Sequence, residues 1–400
     1  MIVARVLVLA AVLLVLAGAS PASGKVDDLY ALRYGAKMNV LVPYDPVRLV
    51  PSGSAIRLGR FAHAWSISPD RSRFVAAASS APAKGGPAAV RFVDLTSGRV
   101  EGTLSLPGEF RSVTATAWIR GRVLVVVSGS SSTTVYSINP EQRVTISQVE
   151  VPGIVTLGER TQSNLVLLLA QPDRIGPATI ALVDQSPRVR TALLDKIAVG
   201  TTTTGVGSDR RMTVRRPALA LAPSGRCAFV LGADEPTASI DLRTLAVRYA
   251  PSRRIAAVSK QVEGAVRTAA MLPDGRIVVT GFNYGANAAG STVGVWLVDP
   301  KDWSHRVLDP AATWVRVAGG LVFARGTGGV GLRILRPSGS VVELFRTGSV
   351  GSVTVVGPRA LVTFFGTNQK AAVVELGTGR VVRHTVPAHP LVGAGQPIVG

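Results

Sequence analysis

Ala218 to Tyr249 reads ALALAPSGRCAFVLGADEPTASIDLRTLAVRY. The apolar run Ala218 to Ala222 stops at the turn Pro223-Ser224-Gly225-Arg226, and a second run covers Cys227 to Gly232. After the loop Ala233 to Pro236 come a third strand, Thr237 to Leu242, the turn Arg243-Thr244 and a fourth strand, Leu245 to Tyr249. Short apolar runs bounded by Pro, Gly, Ser and Asp are the pattern of antiparallel hairpins, because tight turns need a preset or positive φ. The stretch is one four-stranded antiparallel unit.

Approximations of that unit recur along the chain. Ala64 to Ser68, Phe74 to Ala78, Val90 to Leu95 and Val100 to Leu106 make one. Val113 to Ile119, Val123 to Val127, Thr134 to Ile138 and Val144 to Val151 make the next, and Ile154 to Leu194 a third. Beyond Tyr249 further units follow over Val266 to Leu308, Trp314 to Phe345 and Val353 to Val386. Leu29 to Gly59 resembles the third and fourth strands of a unit whose first two are missing. Turns of the second type fall near residues 45, 97, 140, 186, 243, 300, 338 and 378. Their average spacing of about 48 residues is near the 40–50-residue period of propeller blades.

Several runs, such as Val123 to Val127 and Leu165 to Leu169, are apolar without alternation, as expected where both faces of a strand are buried. A ring of small sheets, each held between two neighbours, provides that environment, whereas a sandwich or single barrel exposes one face of most strands. The expected fold is therefore an all-β propeller of four-stranded antiparallel blades. Counting first-type turns gives seven blades; eight follow if residues 388 to 400 share the last sheet with the N-terminal segment. The half unit at the N-terminus suggests closure by a terminal strand, which removes a free sheet edge. Ile255 to Ala270 is the one stretch where a helical period extends over more than two turns.

The recurring residues resemble the repeat of secreted bacterial β-propellers of the YVTN type, which are related to tryptophan–aspartate-repeat proteins. The resemblance is carried by Ser68-Pro69-Asp70, Val93-Asp94-Leu95-Thr96-Ser97-Gly98-Arg99-Val100, Pro223-Ser224-Gly225-Arg226, Ile240-Asp241-Leu242, Pro273-Asp274-Gly275-Arg276 and Gly377-Thr378-Gly379-Arg380-Val381. It covers nearly all of residues 40 to 387. It implies a fold and leaves activity open, since such propellers include binding platforms, surface-layer proteins and lactone hydrolases.

The 400 residues are 47% apolar and only 17% charged, which argues against intrinsic disorder. The formal net charge is +20, carried by 44 basic residues, so polyanions should be attracted in a salt-dependent way. Met1 to Gly24 has Arg5 as a short basic region, the apolar run Val6 to Leu16 and the pattern Ala17-Gly18-Ala19, as in an export signal. The expected organisation is a signal peptide over residues 1–24, one propeller over 25–390 and a C-terminal tail over 391–400. Export directs attention away from nucleic acid, and no membrane span is expected after cleavage. Cys227 is the only cysteine, so no intramolecular disulfide forms, and its apolar neighbours suit a small buried side chain.

Gly326-Thr327-Gly328-Gly329-Val330-Gly331 matches a dinucleotide-loop spacing, yet Leu332 to Leu335 reads as a strand where that fingerprint needs a helix. His63, His305, His384 and His389 have no second ligand at metal spacing, so neither a metal nor a cofactor is expected. Trp65 and Trp118 hold similar places in consecutive units and suit packing between blades. The sharpest candidate for binding is the insertion after Gly200, where Arg210, Arg211, Arg215 and Arg216 follow Thr201 to Thr204. Arginine forks match carboxylate or phosphate, and loops on a rigid scaffold carry function. Two readings stand. The first is an exported, monomeric, non-catalytic scaffold that binds a protein or an anionic envelope polymer through this anion-binding loop. The second is a hydrolase of the lactonase type with a site at the central channel.

Overall fold

The structure is a computed structural model. It describes residues 29–33, 38–45, 48, 50–61, 64–78, 87–107, 112–205, 211–233, 235–250, 264–284, 290–326, 330–364, 371–385 and 391–392. Among the described residues every regular element is a strand.

The N-terminal strands β1 (Leu29–Arg33), β2 (Asn39–Tyr44) and β3 (Ile56–Gly59) form an antiparallel meander. Next come β4 (Ala64–Ile67), β5 (Arg73–Ala78), β6 (Ala89–Asp94) and β7 (Arg99–Ser105), then β8 (Ser112–Ile119), β9 (Arg122–Ser128), β10 (Ser132–Asn139) and β11 (Val144–Pro152), each set a four-stranded sheet in chain order. The same order continues through β12 (Ile154–Arg160), β13 (Asn164–Ala170), β14 (Gly176–Asp184) and the long β15 (Val189–Thr204). A strand not expected from the sequence, β16 (Arg211–Arg216), pairs with the end of β15. Ala218 to Tyr249 forms β17 (Ala218–Leu221), β18 (Cys227–Leu231), β19 (Ala238–Asp241) and β20 (Val247–Tyr249). After it stand β21 (Gly264–Met271), β22 (Ile277–Tyr284), the short β23 (Gly290–Thr292), β24 (Val295–Val298) and β25 (His305–Asp309). Gly264–Met271 is thus extended, where a helical period had been read, and residues 251–263 lie outside the described residues. The last ladders are β26 (Trp314–Ala318), β27 (Leu321–Arg325), β28 (Val330–Leu335) and the first part of β29 (Val341–Val356), then the second part of β29 with β30 (Arg359–Phe364), β31 (Ala371–Glu375) and β32 (Val381–Thr385). Finally β33 (Leu391–Val392) returns to β1, with Tyr30 opposite Val392 and Ala31 opposite Leu391.

The N-terminal segment therefore supplies three strands of its sheet, one more than the sequence showed, and the C-terminus supplies the fourth. That sheet takes in Leu391 and Val392, the sharing with the N-terminal segment that the eight-blade alternative had for residues 388 to 400.

A local device repeats at the second turn of the ladders. The carboxylate or amide oxygen at the end of the third strand accepts an N–H bond from two residues on: Asp94 from Thr96 at 2.8 Å, Asn139 from Glu141 at 3.0 Å, Asp184 from Ser186 at 2.8 Å, Asp241 from Arg243 at 2.7 Å and Asp299 from Lys301 at 3.0 Å. Asp and Asn are placed there because their short side chains close such turns on their own backbone.

The cores lie between the sheets. Val75, Val90 and Phe92 pack on Trp118, Val123 and Tyr136 of the following ladder, and Leu124 and Val126 pack on Leu165 and Leu167 of the one after. Corresponding clusters join each ladder to its successor. The circuit closes on itself: Ala31 and Tyr44 meet Leu361 and Val373, while Tyr30 and Leu41 meet Phe74 and Val93. Burial on both faces explains the unalternated apolar runs. First strands of successive ladders touch one another, as in β4 with β8, β12 with β17, β17 with β21 and β21 with β26. They line the common axis, whereas outer strands such as β11 alternate between exposed and half-buried residues.

Candidate functional site: the axial mouths

Each ladder has four antiparallel strands and the next begins where the fourth ends, so all the first strands start at the same mouth of the axis. The insertion after Gly200 lies at that mouth. It was expected as a loop, and the structure makes it a β-hairpin, with Thr201 opposite Val214 and Thr204 opposite Arg211. The run of β-branched residues Thr201 to Thr204 and Thr213-Val214 favours extended pairing over a solvated loop. Gly200 holds φ at +128°, and a Cβ there would collide with the carbonyl oxygen of Arg174, so glycine is required where the hairpin leaves the sheet. Past the hairpin, β16 pairs in parallel with the start of β21, Arg215 opposite Ala265 and Arg216 opposite Val266.

Of the four arginines read from the sequence, Arg210 lies outside the described residues. Arg211 is exposed, and Arg215 and Arg216 are half-buried. Arg215 Nη1 reaches Glu235 Oε1 at 3.4 Å.

The inner strands add arginines that the sequence reading missed. Arg267, one residue past the β16 pairing on β21, is 1% exposed. Its Nη1 donates to the carbonyl of Phe282 at 3.0 Å and its Nη2 to Asn283 Oδ1 at 2.7 Å. Its stem lies over Gly281, directly opposite in register, where a Cβ would stand 2.9 Å from Arg267 Cδ. On the next first strand, β26, Arg316 is half-buried with its Nε enclosed and without a hydrogen-bond partner. Arg325, at the end of β27 opposite Trp314, lies with its guanidinium 4.5 Å from the centre of the Trp314 ring and donates to Gly351 O at 3.1 Å. Burial pushes both guanidinium groups, Arg316 and Arg325, below the ordinary arginine value. On the opposite face of the same ladder Arg333 binds the buried Asp309 at 2.9 Å, and Asp309 also caps Ala311 N at 2.9 Å. A polar residue inside an apolar strand was the available signal for Arg267 and Arg316, but pattern alone does not say which strands face the axis.

The other mouth has a different character. Turns after β4, β8, β12 and β17 surround a cavity of about 910 Å³ lined by Trp118, Arg120, Arg160, Gln162, Ser163 and Ser224, among others. On β12, next in sequence to Arg160 of that lining, the Glu159 carboxyl is pushed by burial up to about 7, partly offset by Arg160. Trp118 is 6% exposed and, like the half-buried Trp65, packs between ladders as its sequence position suggested.

Among the described residues no three or more His, Cys, Asp and Glu side chains gather as a metal group would require. His63 and His389 lie outside the described residues, and His305 packs its ring on Trp296 at 5.4 Å between centres. Cys227 is half-buried, and burial raises its thiol pKa, so it is a poor nucleophile. The glycine run is described only at Gly326 and from Val330 onward, where β28 continues as the strand expected. Among the described residues no helix is long and apolar enough to cross a membrane. The first mouth thus gathers guanidinium groups on strands whose places are fixed by pairing.

No family model and no curated protein matches the chain. Solved structures do. A dihydro-heme d1 dehydrogenase, NirN, solved as a complex, is similar at 13% identity over 92% of this chain and 74% of its own, with a TM-score of 0.61. Apo AztD from Citrobacter koseri is 12% identical over 93% of this chain and 96% of its own, with a TM-score of 0.53. A 6-phosphogluconolactonase-like protein from Bacteroides uniformis is 12% identical over 79% and 95%, with a TM-score of 0.50. These are β-propeller proteins, and the likeness, with the closed circuit of sheets, shows that this chain has the β-propeller fold.

Proposed function

We propose that the chain is an exported, non-catalytic scaffold, an eight-bladed propeller of the secreted YVTN type that engages an anionic envelope polymer or an acidic protein at the mouth where its first strands begin. Four separate four-stranded sheets, with two ladders in each of the ten- and seven-stranded sheets, support the count of eight. The observation that carries the binding reading is the parallel pairing of β16 with β21. It ties the arginine hairpin into the disc, so Arg211 and Arg216 are presented without the ordering cost a free loop incurs on binding. Arg211, Arg215 and Arg216 form the rim of the anion site in this reading, with Arg210 adjoining them in sequence, and the chain acts as a monomer.

Retention on an anionic polysaccharide column tests it. The wild-type mature chain elutes late and moves earlier as salt rises, since surface attraction is screened within about 10 Å at 0.1 M. The double variant R211E/R216E elutes markedly earlier at the same salt. Equal elution of variant and wild type would remove the hairpin from the reading.

One observation favours the alternative, a hydrolase of the lactonase type. Glu159, next in sequence to Arg160 of the 910 Å³ cavity's lining, has its carboxyl pushed up to about 7, the protonation range of a general acid or base. Turnover of a lactone panel that disappears in Glu159→Gln, with a folded variant, would establish that reading in place of the first.

A further inference from the structure

We propose that Arg316 and Arg325 form a site for one small oxyanion, a carboxylate or phosphate group, in the wall of the channel between the β26–β29 ladder and the ladder that follows it. The site is distinct from the hairpin and stands whether or not the hairpin holds a polymer.

Register places the two side chains together. Arg316 is opposite Phe323, and Arg325 is opposite Trp314, two residues earlier on β26. They are diagonal neighbours on one face of an antiparallel pair, about 7–8 Å apart at the backbone and within reach of each other for long side chains. That face is the one Trp314, Ala318 and Phe323 turn toward Val350 and Val353 of the next ladder.

The two arginines have different roles. Arg325 is held by the Trp314 ring and by Gly351 O, so its fork is oriented before anything binds. Arg316 has no hydrogen bond or ion pair with any described residue, although its Nε is enclosed. A guanidinium taken out of water without a partner is costly, and burial pushes the Arg316 value down accordingly. The surrounding strands contain no acid to relieve it: β26, β27, β28 and residues 350–356 lack Asp and Glu. The buried carboxylate of the preceding ladder, Asp309, is engaged by Arg333 and by backbone amides on the other face. An oxyanion entering from the axis would receive donors from both forks, the arrangement in which arginine outperforms lysine.

The test is calorimetric titration of the mature chain with inorganic phosphate and with glucuronate, glucose serving as the neutral control. Saturable uptake of one equivalent of either anion is expected, weakened at least about tenfold in Arg316→Gln, and unchanged within about twofold in R211E/R216E. Arg316→Lys keeps the charge but not the fork and should bind more weakly than wild type. Melting in the presence and absence of phosphate separates a site from a structural arginine. Wild type should be stabilised by phosphate and R316Q should not, while R316Q melts no lower than wild type without anion because an unpartnered charge has been removed. Phosphate uptake alone would point to phosphorylated ligands, and glucuronate uptake alone to carboxylated ones. The proposal fails if wild type takes up neither anion and shows no thermal shift, if R316Q binds as wild type does, or if the hairpin variant abolishes binding.

Discussion

Replacing Glu159 by glutamine should abolish a pH dependence of stability that runs opposite to ordinary acid denaturation. Glu159 stands opposite Val166 in register, on the face of β12 where Leu157 packs against the cluster containing Val166 and Leu219. Burial there pushes its carboxyl from 4.5 up to about 7. In the unfolded chain the group loses its proton near the lower value, while in the folded chain it keeps it until the higher one. Between the two the folded state binds the extra proton, so stability falls as pH rises, by about 1.4 kcal/mol per pH unit. Over that interval the loss is about 3 kcal/mol, complete a little above neutrality. The benefit of the protonated carboxyl is full below about 4.5 and gone above about 7. For a chain of this size that corresponds to a fall in Tm of roughly 4 °C. The assay is urea unfolding followed by tryptophan fluorescence at pH 5 and pH 8, wild type against Glu159→Gln. Wild type should lose about 3 kcal/mol between the two pH values relative to the variant, and at pH 8 the variant should be the more stable protein. Parallel pH profiles for the two would refute the reasoning.

Gly200→Ala should destabilise the protein by about 1–3 kcal/mol, from positive-φ strain and collision with Arg174 O; amide exchange should rise selectively at 211–216, and unchanged exchange there would contradict the role given to Gly200. Ending the chain at residue 388 removes β33 and bares the edge of β1, so lower Tm and concentration-dependent aggregation are expected in light scattering. The exposed fork between Arg73 and Glu141, with Nη2 to Oε2 at 2.8 Å, should give a coupling of at most about 1 kcal/mol in a double-mutant cycle. A larger value would mean the fork fastens one ladder to the next more strongly than its exposure allows.

Much of this fold could be read from the chain because its signals are local. Asp94, Asp184, Asp241 and Asp299 close their turns within a few residues of themselves, and so mark the ladders in sequence. The N-terminal sheet was read short by one strand, β1 (Leu29–Arg33), because its five residues follow closely on the export-signal region and no turn signal sets them off. The sharing of this sheet with the C-terminal segment, by contrast, was among the alternatives read from the sequence. The arginine insertion was found but not its form: its main partner, β15, is local, and the arginines drew attention away from the β-branched residues that pair it. Only its second partner, β21, lies beyond another whole ladder. Arg316 and Glu159 were missed for a related reason. Each is an ordinary strand residue until the ring places its strand at the axis, and only then does its burial acquire meaning.

The pairing of β33 with β1 also sets an order of events during synthesis. Inner ladders such as β17–β20 contain all of their own strands and can form as soon as they emerge. The first sheet cannot: β1, β2 and β3 are made before the other described strands but wait for Leu391 and Val392 before their inner edge is covered. Contacts so distant in sequence form late and slowly. Throughout that wait an unpaired strand edge is open to other chains, which makes the β1–β3 sheet the part of the nascent propeller most in need of a chaperone.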